Sequence, residues 1–461
     1  MSNPGDTDAT PITSVRQLAD YIAAGSKPRD QWRIGTEHEK FGFRDNDLKT
    51  PPYEPADGHP ASIRDMLAGM QRYDATPIDD HGHTIGLKQG GAAISLEPAG
   101  QLELSGAPVA TLHDTRDELA THFDQVRSVA RDLRMGFAPL GFHPMATRAE
   151  MPWMPKSRYA IMRRYMPLVG TMGLDMMTRT CTVQVNLDYG AEADMVRKLR
   201  LSLLLQPLAT ALFANSPFTE GRPNGFLSYR AHVWTDTDNA RSGIPPVMFE
   251  DGFGFERYAG WLIDEVPMYF VYRDGEYIDV AGSGFRDFMQ GRLPSLAGIQ
   301  ATVGDFADHM TTVFTDVRLK RFLEMRGADA GSAGMMLAQS ALWVGLLYDN
   351  AALAAAEALL RGAGWADAVA LRAAVPREGL AANLPWRDGT LRELSRDLVA
   401  IARDGLVARA RFDTAGHDES VYLSPLQSIV EGSPTQAEHW LDRFHGPWNQ
   451  DLRQIFAEAA I

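Results

Sequence analysis

The chain is short of three things. It has one cysteine, Cys181, in 461 residues, so no disulfide can form within it and thiolate-held zinc or iron–sulfur centres are excluded. It has no apolar run of membrane-spanning length. It also lacks any excess of positive charge, since 45 Lys and Arg stand against 59 Asp and Glu for a net charge of -14. That balance argues against nucleic acid and against an anionic membrane as partners, while small anionic substrates, which answer to local charge, stay open. A reducing, cytoplasmic setting is expected. The first residues are small, polar and acidic, unlike a signal peptide or a basic transit peptide. They are expected to form a disordered lead-in over residues 1–12, followed by a single domain over 13–461. Apolar and charged fractions of 45% and 23% are those of an ordinary globular protein, long enough to bury a large core.

What the chain does have is a repeated strand pattern with carboxylates on one face. In Arg33-Ile34-Gly35-Thr36-Glu37-His38-Glu39-Lys40-Phe41-Gly42-Phe43, alternate residues share a face, so Glu37 and Glu39 point the same way, roughly 6–7 Å apart. Like charges this close repel and are costly to desolvate unless a cation or water lies over them. The pattern returns in Gln101-Leu102-Glu103-Leu104-Ser105, with Glu97 beside Pro98 just before it, where the missing N–H implies an edge, a bulge or a strand start. It returns again in Thr178 to Leu187, where Thr180, Thr182, Gln184 and Asn186 share one face. There Cys181 falls on the apolar face, as a small core residue and not a nucleophile. The fourth instance is Arg321 to Gly327, with Glu324 and Arg326 on one face.

The intervening chain reads mostly as helix. Helices are expected near Ser14–Ala24 and Ser62–Tyr73, from Pro108 to about Arg134, and from Asp194 to Asn215 with an interruption at Pro207. From Gly334 onward the sequence is Ala-rich and helical. A hairpin is expected around Ile85 and Leu87, between His81-Gly82-His83 and Gly90-Gly91, and the two histidines read as loop residues or as ligands. Lys156 and Arg158 stand at a helix start, where the dipole disfavours cations, which leaves a role with an anion beside that of a solvated pair. Arg230, in Ser228-Tyr229-Arg230, either clamps a substrate carboxylate or pairs on the surface.

Four strands with one apolar face each imply an antiparallel sheet whose inner face packs on helices and whose other face is polar, an α+β architecture. If they are neighbours, Glu37, Glu39, Glu97, Glu103 and Glu324 converge with Gln184. So many acids coexist around metal ions, and an all-oxygen donor set points to a hard cation, Mg²⁺ foremost. Carboxylate-held Mg²⁺ usually serves nucleotide phosphates, so the sheet would be an ATP platform without a phosphate loop.

Gly35 to Phe43, Ser95 to Pro108, Arg179 to Asp188, Asn215 to Gly221 and Leu323 to Asp329 together resemble, in order, the plant-type glutamate-cysteine ligases, which also occur in proteobacteria. The resemblance implies a glutamine-synthetase-like fold and synthesis of γ-glutamylcysteine from glutamate, cysteine and MgATP. It implies Glu37, Glu39, Glu97, Glu103 and Glu324 as ligands of two or three Mg²⁺ ions, with Gln184 as a further ligand or neighbour. It places Arg230 on the α-carboxylate of glutamate, and Arg326 and Arg158 near the phosphates and substrate. Glu324 and Arg326 would carry the catalysis. Replacing Glu324 with Gln is expected to abolish turnover and leave the fold intact. A bacterial cytoplasmic enzyme, monomeric or homodimeric, is the expectation, and a related ligase that joins glutamate to a different amine is the alternative.

Overall fold

A computed structural model describes residues 8–461. Its centre is β1 (Ile34–Arg44), eleven residues of which every one is buried. A strand half made of polar residues can lie so deep only when neighbours take up its backbone groups on both edges. The structure supplies them: β1 pairs with Leu102–Ser105 on one side and Thr182–Leu187 on the other, and its far end pairs with Met135–Ala138. This excludes a solvent-facing edge strand.

Numbered along the chain, β2 is Thr76–Asp80, β3 His83–Gln89, β4 Ala92–Leu96, β5 Leu102–Ser105, β6 Met135–Ala138, β7 Thr182–Leu187, β8 Val317–Leu319 and β9 Leu323–Asp329. The nine-stranded sheet runs β8-β9-β7-β1-β5-β4-β3-β2, with β6 beside β1. All pairings are antiparallel. β2 to β5 form a meander, and the expected hairpin is its middle turn pair. His81 and Gly82 close the first turn with φ of 47° and 79°, the left-handed pair that suits the twist of a two-residue hairpin.

Register decides which side chains meet. Glu37 stands opposite Gln184 and Ser105, Glu39 opposite Glu103, Ser95 opposite Glu103, Glu324 opposite Asn186, and Arg318 opposite Glu324. One face is therefore polar from β8 to β4. The other face is mostly apolar, although Thr36, His38 and Lys40 of β1 are buried on it, Thr36 bonded to Ser340 and the Lys40 ammonium set between His38 and His122. Ile34, Val183, Val185, Leu187, Leu323 and Met325 join the main core with helices Glu192–Leu212 and Ala333–Leu347, while Ile94, Leu96, Leu102 and Leu104 pack with helix Ile63–Met70.

Three expectations need correction. The expected strand from Thr178 begins at Thr182, because Thr178 and Arg179 end the helix Gly173–Arg179, where Arg179 pairs with Asp175 one turn back and the Thr178 hydroxyl donates to the Leu174 carbonyl. Pro207 does not interrupt the helix Glu192–Leu212, whose second half is buried on nearly every side, so tertiary packing outweighs the lost hydrogen bond. Of the lead-in over residues 1–12, residues 1–7 lie outside the described residues. Its remainder is held in place: the Val303 N–H donates to the Thr10 carbonyl and the Ile12 N–H to the Ala301 carbonyl, both at 2.9 Å, and Ile12 enters the main core. Among the described residues no helix is long and apolar enough to cross a membrane.

Candidate active site

The polar face of the sheet is itself roofed over, and its two ends differ. At one end stand Glu39, Glu97 and Glu103. Glu39 accepts from the Thr182 N–H at 2.9 Å, and Glu103 is bonded by the Ser95 and Ser105 hydroxyls. Glu97 lies in the tight loop between β4 and β5, closed by the Gly100 N–H on the Glu97 carbonyl and by Gly100 at a φ of 84°, a conformation that favours glycine. Burial first, then the charges of Glu97 and Glu103, hold the Glu39 carboxyl well above the usual carboxylate range. Burial and the neighbouring Glu103 push Glu97 up to about 7 against the pull of Lys156 and Arg158. Glu37, further along β1, accepts from the Asn186 amide at 2.7 Å.

Among the described residues no three His, Cys, Asp or Glu side chains are already gathered to clasp an ion. The donor set nevertheless fits a hard cation in kind. It is all oxygen and mostly buried, and its charges are only partly offset, since Glu39 and Glu97 stay raised despite Arg230, Lys156 and Arg158 while Glu103, in spite of its burial, is lowered by the Ser95 and Ser105 hydroxyls and Lys156.

The other end is built of cations around one acid. Glu324 is fully buried, with Arg318 Nη2 at 2.6 Å from one carboxylate oxygen, Arg318 Nε at 3.0 Å and Lys320 Nζ at 2.7 Å from the other, and Arg326 bonded to it as well. These charges overcome burial and hold its carboxyl well below the usual range. Arg326 also donates to Gln184. It can face both because the β9–β7 register shifts between Met325 and Ala328, a bulge at which Gly327 donates to Gln206 at 2.8 Å. A Cβ at Gly327 would stand 2.3 Å from that amide oxygen, which accounts for the glycine.

Arg230 closes this end from above. It lies in helix Tyr229–Val233, donates to the Arg326 carbonyl at 3.1 Å, and stands 4.0 Å from Asp329. Asp329 in turn accepts from the Asn215 N–H and from the Ser216 and Ser228 hydroxyls, fixing the loop that carries Arg230. The Nε of Arg230 and the Nε of Arg158 are buried with no partner in the protein.

Two cavities open onto this face. The larger, about 690 Å³, is lined at the sheet by Glu37, Ser105 and Asn186 and beyond it by Lys27, Lys320 and Arg321. The smaller, about 90 Å³, brings together Glu39, Glu97, Arg158, Arg230 and Arg326 under a wall that includes Met162, Met176, Met177 and Phe270. The residues singled out from the sequence are thus assembled on one face, though in two groups. Glu39, Glu97 and Glu103 form one, Glu324, Gln184 and Arg326 the other, and Glu37, opposite Gln184 and bonded by Asn186, stands nearer the second.

Arg318 and Lys320, which pair with Glu324 in the candidate site, are residues that sequence reasoning missed. Val317-Arg318-Leu319-Lys320 alternates apolar and basic residues at the period of a strand, and that was the available signal. Lys156 is buried rather than solvated, with its ammonium donating to the Leu96 carbonyl at 2.7 Å beside Glu97. Cys181 is buried among Phe41, Phe43 and Leu140, and burial pushes its thiol well up.

Comparison with known proteins places these features. A family model described as glutamate-cysteine ligase family 2 matches residues 33–458. The chloroplastic glutamate-cysteine ligase of Medicago truncatula is 48% identical over 453 residues, covering 98% of this chain and 86% of that protein. The Arabidopsis thaliana chloroplastic ligase is 49% identical over 451 residues, covering 98% and 83%. These chloroplastic relatives overturn the expectation of a bacterial cytoplasmic protein. Among solved structures, the glutamate-cysteine ligase of Francisella tularensis in complex with AMP superposes with a TM-score of 0.55 at 12% identity, covering 93% of this chain and 88% of that one. The glutamine-synthetase-like α+β fold, an antiparallel sheet with one polar face and helices on the other, is the one expected.

Proposed function

Since the chain belongs to glutamate-cysteine ligase family 2, enzymes of the first step of glutathione synthesis, we propose that it joins the γ-carboxylate of glutamate to the amine of cysteine with ATP, through a γ-glutamyl phosphate. The observation that carries this reading is the smaller cavity. There two acids of raised proton affinity, Glu39 and Glu97, face Arg158, Arg230 and Arg326, and two of these guanidiniums keep buried N–H groups unpaired. Unpaired buried donors beside an acidic patch suit an amino acid whose α-carboxylate and α-ammonium share one carbon.

Each group then has a task. Arg230 holds the α-carboxylate of glutamate, with Asp329 setting its loop. Arg326 and Arg158 face the γ-carboxylate and the γ-phosphate of ATP as the two anions approach, and a charge fixed there stabilises the phosphoryl in transfer more than the separated reactants. The larger cavity, with Lys27, Lys320 and Arg321 on its walls, has room for the rest of the nucleotide. A nucleotide, AMP, is bound in the related Francisella structure. Glu37, Glu39, Glu97 and Glu103, with Glu324 and Gln184, would hold Mg²⁺. The ions would supply neutralisation of the triphosphate and of the developing charge. Glu324 can join them only by releasing one of its three cations. The amine of cysteine then displaces phosphate, which leaves with the oxygen that came from the γ-carboxylate.

The test is ADP release by the purified protein with glutamate and MgATP, with cysteine present, absent, or replaced by 2-aminobutyrate and unrelated amines, the product being identified by mass. A γ-glutamyl product formed preferentially with cysteine supports the reading. Preference for another amine would keep the platform and discard the substrate.

A further inference from the structure

A third unpaired donor stands at the smaller cavity. Trp234 lines it, and its indole N–H is buried with no partner in the protein, as are Arg158 Nε and Arg230 Nε. Trp234 directly follows the helix that carries Arg230. Its backbone N–H bonds to the Arg230 carbonyl at 3.3 Å, so the two residues are one turn apart on the same side of that helix. Both also line a second void, about 30 Å³, between Arg326 and Asp316.

The ring is set by its surroundings. Phe314 lies 5.6 Å away, centroid to centroid, and Arg372, paired with Asp316 at 2.7 Å, donates to the Trp234 carbonyl at 3.2 Å. A buried N–H with no acceptor is costly, and native structures keep one where a ligand or water completes it. Trp343 and Trp386 also carry unpaired indoles, but neither lines these cavities. The acids on the cavity wall, Glu39 and Glu97, are not bonded to Trp234, so its acceptor comes from outside the protein.

We propose that Trp234 is a further substrate-binding residue, its indole N–H donating beside Arg230 to the α-carboxylate of glutamate. The inference rests on the ligase reading above. A guanidinium and an indole one helical turn apart fix the carboxylate at two points, and a planar group held at two points cannot swivel. The far end of the substrate is thereby aimed along the cavity toward Arg158 and Arg326, and its γ-carboxylate meets the phosphate in a constant orientation.

Trp234→Phe removes the N–H and keeps a ring of similar shape. The KM for glutamate is expected to rise about tenfold, as for loss of a hydrogen bond to a charged group. The KM values for cysteine and ATP should move less than about twofold. No protein–protein bond is lost, so the melting temperature of the ligand-free protein should hold or rise. An unchanged glutamate KM, or a lower melting temperature with all three KM values shifted together, would overturn the proposal. Glutamate α-amide sharpens the test: its disadvantage against glutamate should shrink in the variant, and an equal disadvantage in both proteins counts against the indole. Absence of turnover in the wild type would instead overturn the ligase reading. Calorimetric titration of glutamate into both proteins then decides the role of Trp234 on its own, weaker binding to the variant supporting it and equal binding overturning it.

Discussion

Glu97 and Glu324 stand at the two ends of one polar face, Glu97 half-buried in the β4–β5 loop and Glu324 fully buried, and their proton affinities move in opposite directions. At the β4–β5 end desolvation and the acid Glu103 push Glu97 up to about 7 against the weaker pull of Lys156 and Arg158, while at the β8–β9 end Arg318, Lys320 and Arg326 hold Glu324 well below the usual range. Desolvation is common to both, so the difference comes from the neighbouring charges. A buried carboxylate with its cations already in place is part of the frame. One set beside another carboxylate is held toward its protonated form.

Glu324→Gln should break this contrast most severely. Three cations, one buried and two half-buried, would lose their acid, and the cost expected for removing one partner of a buried ion cluster is about 3–5 kcal/mol. Turnover should disappear together with much of the stability, measured as a lower urea midpoint. This replaces the expectation from sequence that the variant would keep its fold. An unchanged midpoint would show that the cations find other partners.

Glu97→Gln should do the reverse at the other end. It relieves repulsion, so the metal-free protein should be no less stable, while turnover falls roughly 10²–10³-fold, as for loss of one preorganised electrostatic group. The pH dependence sharpens the point. The folded Glu97 binds its proton more tightly than an exposed glutamate, whose pKa is about 4.3, so its contribution to stability is complete below about pH 4.3 and is lost as the pH rises through about 7. The stability of Glu97→Gln relative to the wild type, in chelator, should therefore increase by about 2–3 kcal/mol across that window. Glu324 has the opposite sign, stabilising above about pH 4.3 and losing that effect as the pH falls. A flat difference for Glu97→Gln would remove the asymmetry between the ends.

The smallest effect is expected at Cys181, in the strip just before β7. It is buried against Phe41 and Leu140 with its thiol pushed well up. Cys181→Ala should cost about 1 kcal/mol, as for a small cavity, and leave turnover within about twofold. Oxidants should leave activity and oligomeric state unchanged, as gel filtration after peroxide would show.

What the sequence revealed followed from side-chain alternation. Glu37 with Glu39, Glu103 with Ser105, Thr182 with Gln184, and Glu324 with Arg326 are each a period-two signal, so the polar face could be read without coordinates. The five motifs also pointed to the family. What could not be read was anything set by register or by distant covering chain. Arg318 meets Glu324 because of one β8–β9 pairing, and Lys156 is buried because the loop carrying Glu97 closes over it. Thr178 and Arg179 carry strand-like residues yet end a helix, held by Asp175 and Leu174 in a way that propensity does not report. Glu39 and Glu103 could be seen as two acids, but only the pairing shows them as direct neighbours.

The sheet order has a further consequence, for the way this face comes into being. β1 lies between β5 and β7, and β9, which brings Glu324 and Arg326, leaves the ribosome roughly 290 residues after Glu37. At about 5–20 residues per second that is a delay of roughly 15–60 s. For that time Glu37 and Glu39 belong to a nascent chain whose final edge does not yet exist, and their charges keep them hydrated while the opposite side of β1 seeks cover. β1 gains its partners β5 and β7 by Leu187, and the polar face is completed only when the cations of β8 and β9 arrive.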